Sequence, residues 1–265
     1  MPGRRSRLSE YVDELQSIGM YTFGREVAVA ASGASPVAFK QALRRLMKAG
    51  RLASPRRGFY VIVPMEYRKI GAPPADWYID ALMKSLGRPY YVGLLSAAAI
   101  HGAAHQQPQE FQVLTPVPLR PSKAGRSAIR FFQKQDMDSC ATVQVNTVTG
   151  TITVSTPETT ALDLVRYAHA SGQLGNVATV LAELADRIDP ARLVAAATLE
   201  TEMAHVQRLG YLLDLVGASC ANELRLWTEE RRPAPVALRP DLVAAGAPRD
   251  SRWSVVVNDT VEVDE

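Results

Sequence analysis

Five long polar side chains stand within one short stretch: Lys40, Gln41, Arg44, Arg45 and Lys48. At helical spacing, positions 41, 44, 45 and 48 share one face, with Lys40 at its edge and Val37 a turn earlier. Lysine and arginine neutralise phosphate, while arginine and glutamine also form paired hydrogen bonds with base edges. Arg56 and Arg57 follow in Pro55-Arg56-Arg57-Gly58, between two apolar runs. At the tip of a turn they would lie against a phosphate backbone or reach into the minor groove. Such residues bind a polyanion rather than make or break bonds. The bland alternative is a solvated helix face and a hairpin whose arginines only keep it soluble.

The elements around them favour the duplex. Thr22 would cap a helix ending near Ala31, and Ser32-Gly33-Ala34 breaks it. Ser35 then caps a second helix with Pro36 in its first turn, where the missing N–H costs nothing. Gly50 ends that helix just past its last turn. Phe39, Ala42, Leu43 and Leu46 recur at helical spacing and form the buried side. Leu52–Ser54 and Phe59–Val63 are short strand candidates around the basic turn. A helix, a turn, a second helix and a basic hairpin in this order predict a winged helix-turn-helix. Ser35 sits at the start of the proposed recognition helix and joins Lys40, Gln41, Arg44, Arg45, Lys48, Arg56 and Arg57 in the expected DNA-facing set. An earlier helix is expected over Ser9–Ser17, after an arm carrying Arg4, Arg5 and Arg7.

Charge is divided along the chain. Residues 1–70 hold 13 Lys and Arg against 5 Asp and Glu, a surplus of +8, whereas residues 71–265 carry −5. The positive field therefore belongs to the proposed DNA-binding part, and most affinity should come from phosphate neutralisation. The 265 residues suffice for two domains, each with its own core. Met65–Pro74, with Gly71-Ala72-Pro73-Pro74, reads as the linker. The expected division is 1–70 for the winged helix and 75–265 for a larger α+β domain, so that deleting 1–70 would abolish DNA binding and spare the rest. No apolar run approaches the ~20 residues that span a bilayer, and no secretory signal is expected at the basic N-terminus. Cys140 and Cys220 read as buried thiols of a cytoplasmic protein.

Beyond the linker, helices are expected over Asp76–Leu86 and Tyr90–Gly102. Strands follow at Glu110–Thr115, Ala128–Phe132, Thr142–Val145 and Thr151–Val154, with Pro116–Ser127 as a solvated loop carrying Arg120, Lys123 and Arg126. Thr156-Pro157-Glu158 is a strong helix start, with an Asp163–Arg166 pair across its turn. Further helices are expected near Val177–Arg187, Pro190–Glu200, Thr201–Leu215 and Cys220–Glu229, then a terminal strand over Arg252–Asn258.

Little here suggests catalysis. There is no Walker-type Gly-Lys loop, no Gly-x-Ser-x-Gly and no Rossmann glycine pattern. A nuclease would need acidic metal ligands on adjacent strands, yet Asp136 and Asp138 fall in a connector. His101 and His105 have the spacing of two helical metal ligands, but Gly102 intervenes, and a hydrogen-bonded structural histidine is the simpler reading. No cofactor or metal is expected. An apolar pocket beside Tyr90, Tyr91 and His101 would instead suggest a regulator that senses a small molecule.

Four stretches carry a family resemblance: RRGFYVIVP, VGLLSAAAIHG, TVSTPETTALDLVRY and RWSVVVN. With them, nearly the whole chain resembles the AbiEi-type antitoxins of bacterial type IV toxin–antitoxin systems. The resemblance implies a winged helix that represses its own operon by binding double-stranded operator DNA. It also implies a remainder that counteracts a partner toxin of nucleotidyltransferase fold. Carried onto this sequence, the DNA-facing set is Gln41, Arg44, Arg45, Lys48, Arg56 and Arg57, and no catalytic residue comes with it.

Overall fold

The computed structural model describes residues 7–103 and 108–263. In chain order the elements are α1 (Arg7–Ser17), β1 (Thr22–Gly24), α2 (Arg25–Ser32), α3 (Pro36–Lys48), β2 (Leu52–Arg56), β3 (Phe59–Ile62), α4 (Ile79–Leu86), β4 (Tyr91–Val92) and α5 (Leu94–Ile100). There follow β5 (Phe111–Thr115), β6 (Ser122–Ala124), β7 (Ser127–Gln133), β8 (Thr142–Thr147), β9 (Gly150–Ser155), α6 (Pro157–Arg166), α7 (Gln173–Leu184), α8 (Pro190–Leu199), α9 (Met203–Leu215) and α10 (Ala221–Arg231). Three short strands close the chain: β10 (Val236–Ala237), β11 (Arg249–Asp250) and β12 (Val255–Val256). The fold is mixed α+β. It divides into two compact units, one of Met1–Tyr91, Gln109–Gln135 and Gln144–Thr153, the other of Val92–Pro108, Asp136–Val143 and Val154–Glu265.

The first unit begins with three helices over a small sheet. Leu8, Val12 and Leu15 of α1 pack with Ala28 of α2, Phe39, Ala42 and Leu46 of α3, and Phe23, Tyr60 and Ile62 of the sheet. The start of α3 is set locally: Ser35 Oγ accepts from the Ala38 amide at 3.3 Å, and Pro36 occupies the first turn. Its end is set by Gly50 at φ +65°. There the Gly50 amide donates to Met47 and the Arg51 amide to Leu46, which satisfies two terminal carbonyls. Strand order is β1-β3-β2, all antiparallel, an arrangement compatible with a winged helix. Thr22 is not a helix cap, as the sequence suggested. It opens β1, because Thr22–Gly24 pair with Phe59–Val61 and bury Phe23.

The stretch read as a linker is folded. Ala72 is buried with Ala53, Val63 and Ala124, and the Arg126 amide donates to the Ile70 carbonyl at 2.9 Å. A Cβ on Gly125 would lie 2.3 Å from that carbonyl oxygen, so only glycine allows the two backbones to approach. β6, inside the expected loop, runs beside β2, where Ser122 Oγ donates to the Pro55 carbonyl at 2.6 Å. The chain therefore does not part into compact units at residues 70–75.

The larger sheet has the order β6-β7-β5-β4-β9-β8. β5 and β7 are parallel neighbours, and β6 pairs antiparallel with β7. The helix expected over Tyr90–Gly102 begins only at Leu94. Tyr91 and Val92 are buried strand residues, with Val92 parallel to Val154.

In the second unit, Thr156 caps α6 through the Thr159 amide. That helix packs against α5, α7, α8 and α9. Expected helix boundaries there hold to within a few residues, except that α7 starts earlier, at Gln173. The expected terminal strand shrinks to β12, in a small sheet of order β10-β12-β11. Trp253 is instead buried before it, its Nε1 donating to Asp214 Oδ2 at 2.6 Å.

Candidate nucleic-acid interface

Phe39, Ala42 and Leu46 hold α3 by its inner side. Val37, Lys40, Gln41, Arg44, Arg45 and Lys48 are all exposed on the remainder. Among the described residues, none of Lys40, Arg44, Arg45 and Lys48 has a carboxylate partner within ion-pair distance. The four charges are therefore available to a polyanion without breaking an internal pair. Arg7, the first residue of α1, lines a shallow groove together with Ala34, Ala38, Gln41 and Arg45. Arg4 and Arg5 of the expected arm lie outside the described residues. Ser35 is exposed at the N-cap, and its side chain and carbonyl both serve the helix, accepting from the Ala38 and Phe39 amides.

The hairpin separates two arginines that the sequence grouped. β2 and β3 pair at Leu52–Ile62, Ala53–Val61 and Arg56–Phe59, with an irregularity between Ala53 and Arg56. The turn is then only Arg57-Gly58, with Gly58 at φ +85°. Arg57 is exposed at the tip. Arg56 is the last strand residue and turns inward: its Nη2 donates to the Arg120 carbonyl at 2.8 Å, and its guanidinium lies 5.7 Å from the Phe131 ring centroid. Arg51 is likewise committed, with Nη1 on Ser9 Oγ at 2.9 Å and Nη2 on Asp13.

Three cationic neighbours of the wing were not grouped with it by sequence reasoning. The Arg25 amide donates to the Gly58 carbonyl at 2.8 Å, which fixes the start of α2 beside the wing turn, with Arg25 exposed. The misplaced start of that helix concealed this. Arg120 and Lys123, also exposed, follow the wing because β6 lies along β2.

The other candidate positions are occupied by structure. His101 Nε2 is 2.7 Å from the Ser155 carbonyl oxygen; His105 lies outside the described residues. Tyr91 is buried and Tyr90 donates to Asp80 at 3.2 Å. Burial, and then the Asp80 charge, pushes the Tyr90 hydroxyl well above its usual pKa. Asp136 faces Arg166 at 3.6 Å, and Arg166 also reaches Glu200 at 3.4 Å. Cys220 is buried, and burial raises its thiol pKa; Cys140 is only half-buried, unlike the expectation. Among the described residues, no three His, Cys, Asp or Glu side chains gather as a metal site. None of the helices described is long and apolar enough to cross a membrane.

Residues 91–215 match the AbiEi antitoxin C-terminal domain. This stretch is an AbiEi antitoxin C-terminal domain. The match spans the central strand β4 through the end of α9, and so includes both VGLLSAAAIHG and TVSTPETTALDLVRY. No curated protein sequence matches the chain. Among solved structures, the crystal structure of the RV2827C protein from Mycobacterium tuberculosis is similar, with a TM-score of 0.67 and 17% identity. The likeness covers 94% of this chain and 90% of that one, and shows a shared fold. The AbiEi domain places the protein among toxin–antitoxin components.

Proposed function

We propose that this AbiEi protein is a non-enzymatic, cytoplasmic DNA-binding antitoxin that represses its own operon and counteracts a nucleotidyltransferase-like toxin. The observation that carries the DNA-binding half is the exposed outer face of α3, four cations without carboxylate partners among the described residues, in a setting compatible with a winged helix. Residues 1–70 contribute those contacts: α3 lies in the major groove, while Arg57 meets the phosphate backbone. Val37, 68% exposed in the first turn, offers an apolar contact to a thymine methyl. Arg56 supports the wing from behind. The antitoxin half rests on the AbiEi domain and on the family resemblance.

Two assays on the full-length chain test this. Arg44→Ala or Arg45→Ala should weaken binding to the operon's own promoter by about 1–3 kcal/mol where the side chain reads a base edge. Wild-type affinity in both variants would remove α3 from the groove. Co-expression with the toxin reading frame of the same operon should restore growth, and should still do so for the α3 variants. Growth arrest despite a folded, soluble chain would refute the antitoxin assignment.

A further inference from the structure

In the second unit, α6, α7, α9 and the segment after β10 line a half-open cavity of about 300 Å³, at the small end of ligand sites. Three arginines line it: Arg166, Arg208 and Arg239. Two are spent on acids. Arg239 forks onto Asp241 at 2.8 and 2.7 Å and reaches Asp259 at 2.9 Å. Arg166 pairs with Glu200 and Asp136. The remaining wall acid, Glu202, faces His205, 3.7 Å from its Nε2, and His205 Nδ1 is 3.3 Å from Glu200.

Arg208 differs. Among the described residues no carboxylate lies within ion-pair distance of it; its Nε donates to the Ala237 carbonyl at 3.0 Å. Burial draws its pKa below the usual value, with only Glu202 opposing. A half-buried guanidinium keeps a planar fork of N–H donors suited to a carboxylate or phosphate. At the mouth, Gln173 Nε2 and His169 Nδ1 are 3.2 Å apart, a further polar pair. Val165, Leu174 and Leu238 form an apolar floor.

We infer that this cavity binds a small organic anion, carboxylate- or phosphate-bearing and no larger than a nucleoside monophosphate, with its charged group on the Arg208 guanidinium. The site is independent of the DNA-facing residues.

The test uses the full-length chain with inorganic phosphate, adenosine 5′-monophosphate and succinate as separate probes, followed by calorimetry and thermal shift. Binding by the first two assigns a phosphate ligand, and binding by succinate a carboxylate. At least one probe should bind with Kd below about 1 mM. Arg208→Met should weaken it at least about tenfold, and Arg208→Lys, which keeps charge without the fork, by less. Should Arg208→Met fail to fold, Gln173→Ala on the exposed rim keeps the test open, with weaker binding expected. Failure of every probe to bind below about 10 mM, or wild-type affinity in folded Arg208→Met or, where that variant fails to fold, in Gln173→Ala, overturns the inference.

Discussion

The two wing arginines should behave as different kinds of residue, and salt dependence separates them. Each phosphate neutralised adds about 0.9 to the slope of log K against log salt. Lys40, Arg44, Arg45, Lys48 and Arg57 are exposed and, among the described residues, without carboxylate partners. If all five meet phosphate, raising salt from about 50 to about 200 mM costs roughly 500-fold in affinity, and one contact alone about 3.5-fold. Arg57→Ala should therefore flatten the slope by about 0.9. Arg56→Ala should leave it unchanged, because that guanidinium is held on the Arg120 carbonyl and the Phe131 ring. Its cost should appear as lost stability, about 1–2 kcal/mol from a charged hydrogen bond and a cation–π contact at a partly exposed site. Fluorescence anisotropy on any labelled duplex reads the slopes, since phosphate contacts are independent of sequence, and thermal melts read the stabilities. A flattened slope for Arg56→Ala with an unchanged one for Arg57→Ala would refute the geometry.

Four other outcomes are expected. Ser35→Ala removes the cap of α3 and should cost about 1 kcal/mol in the melt, with Ser35→Asn close to wild type. Gly210→Ala places a Cβ 2.1 Å from the buried Trp253 ring and should destabilise by roughly 3 kcal/mol or more, with the indole fluorescence shifted to the red as Trp253 meets water. Asp76 has its pKa raised by burial, against weaker lowering by backbone N–H groups. The folded state therefore favours the protonated form, and the charge costs stability as pH rises past the usual carboxylate range. Asp76→Asn should be the more stable protein at pH 7, and the gain should vanish in denaturation midpoints taken below pH 3.8. Deleting residues 1–70 takes β2 from β6 and strips Ala53 and Val63 from Ala72 and Ala124. The truncated protein should lose cooperative melting, whereas the α3 charge variants keep it.

What was legible in the sequence follows from how local its causes are. Ser35-Pro36 and Gly50 bound α3, and Thr156-Pro157 starts α6, through hydrogen bonds that reach only three to five residues along the chain. The apolar spacing of Phe39, Ala42 and Leu46 likewise needs no distant partner to be read. The misreadings are of the opposite kind. β1 and β4 are two or three residues long and exist only because Val61 and Val154 lie alongside. Neither is distinguishable by period from the helices beside it. The fate of a cation is equally non-local. Sequence shows seven basic residues on and after α3, but not that Arg51 is bound by α1 and Arg56 by the carbonyl of Arg120. It also misses Arg208, whose environment is assembled from α6 to the segment after β10. A count of positive charges thus overstates a binding surface. The relevant set is those whose charge the fold leaves uncommitted, which is why Arg57 and Arg208, and not Arg56 and Arg239, are the arginines to mutate.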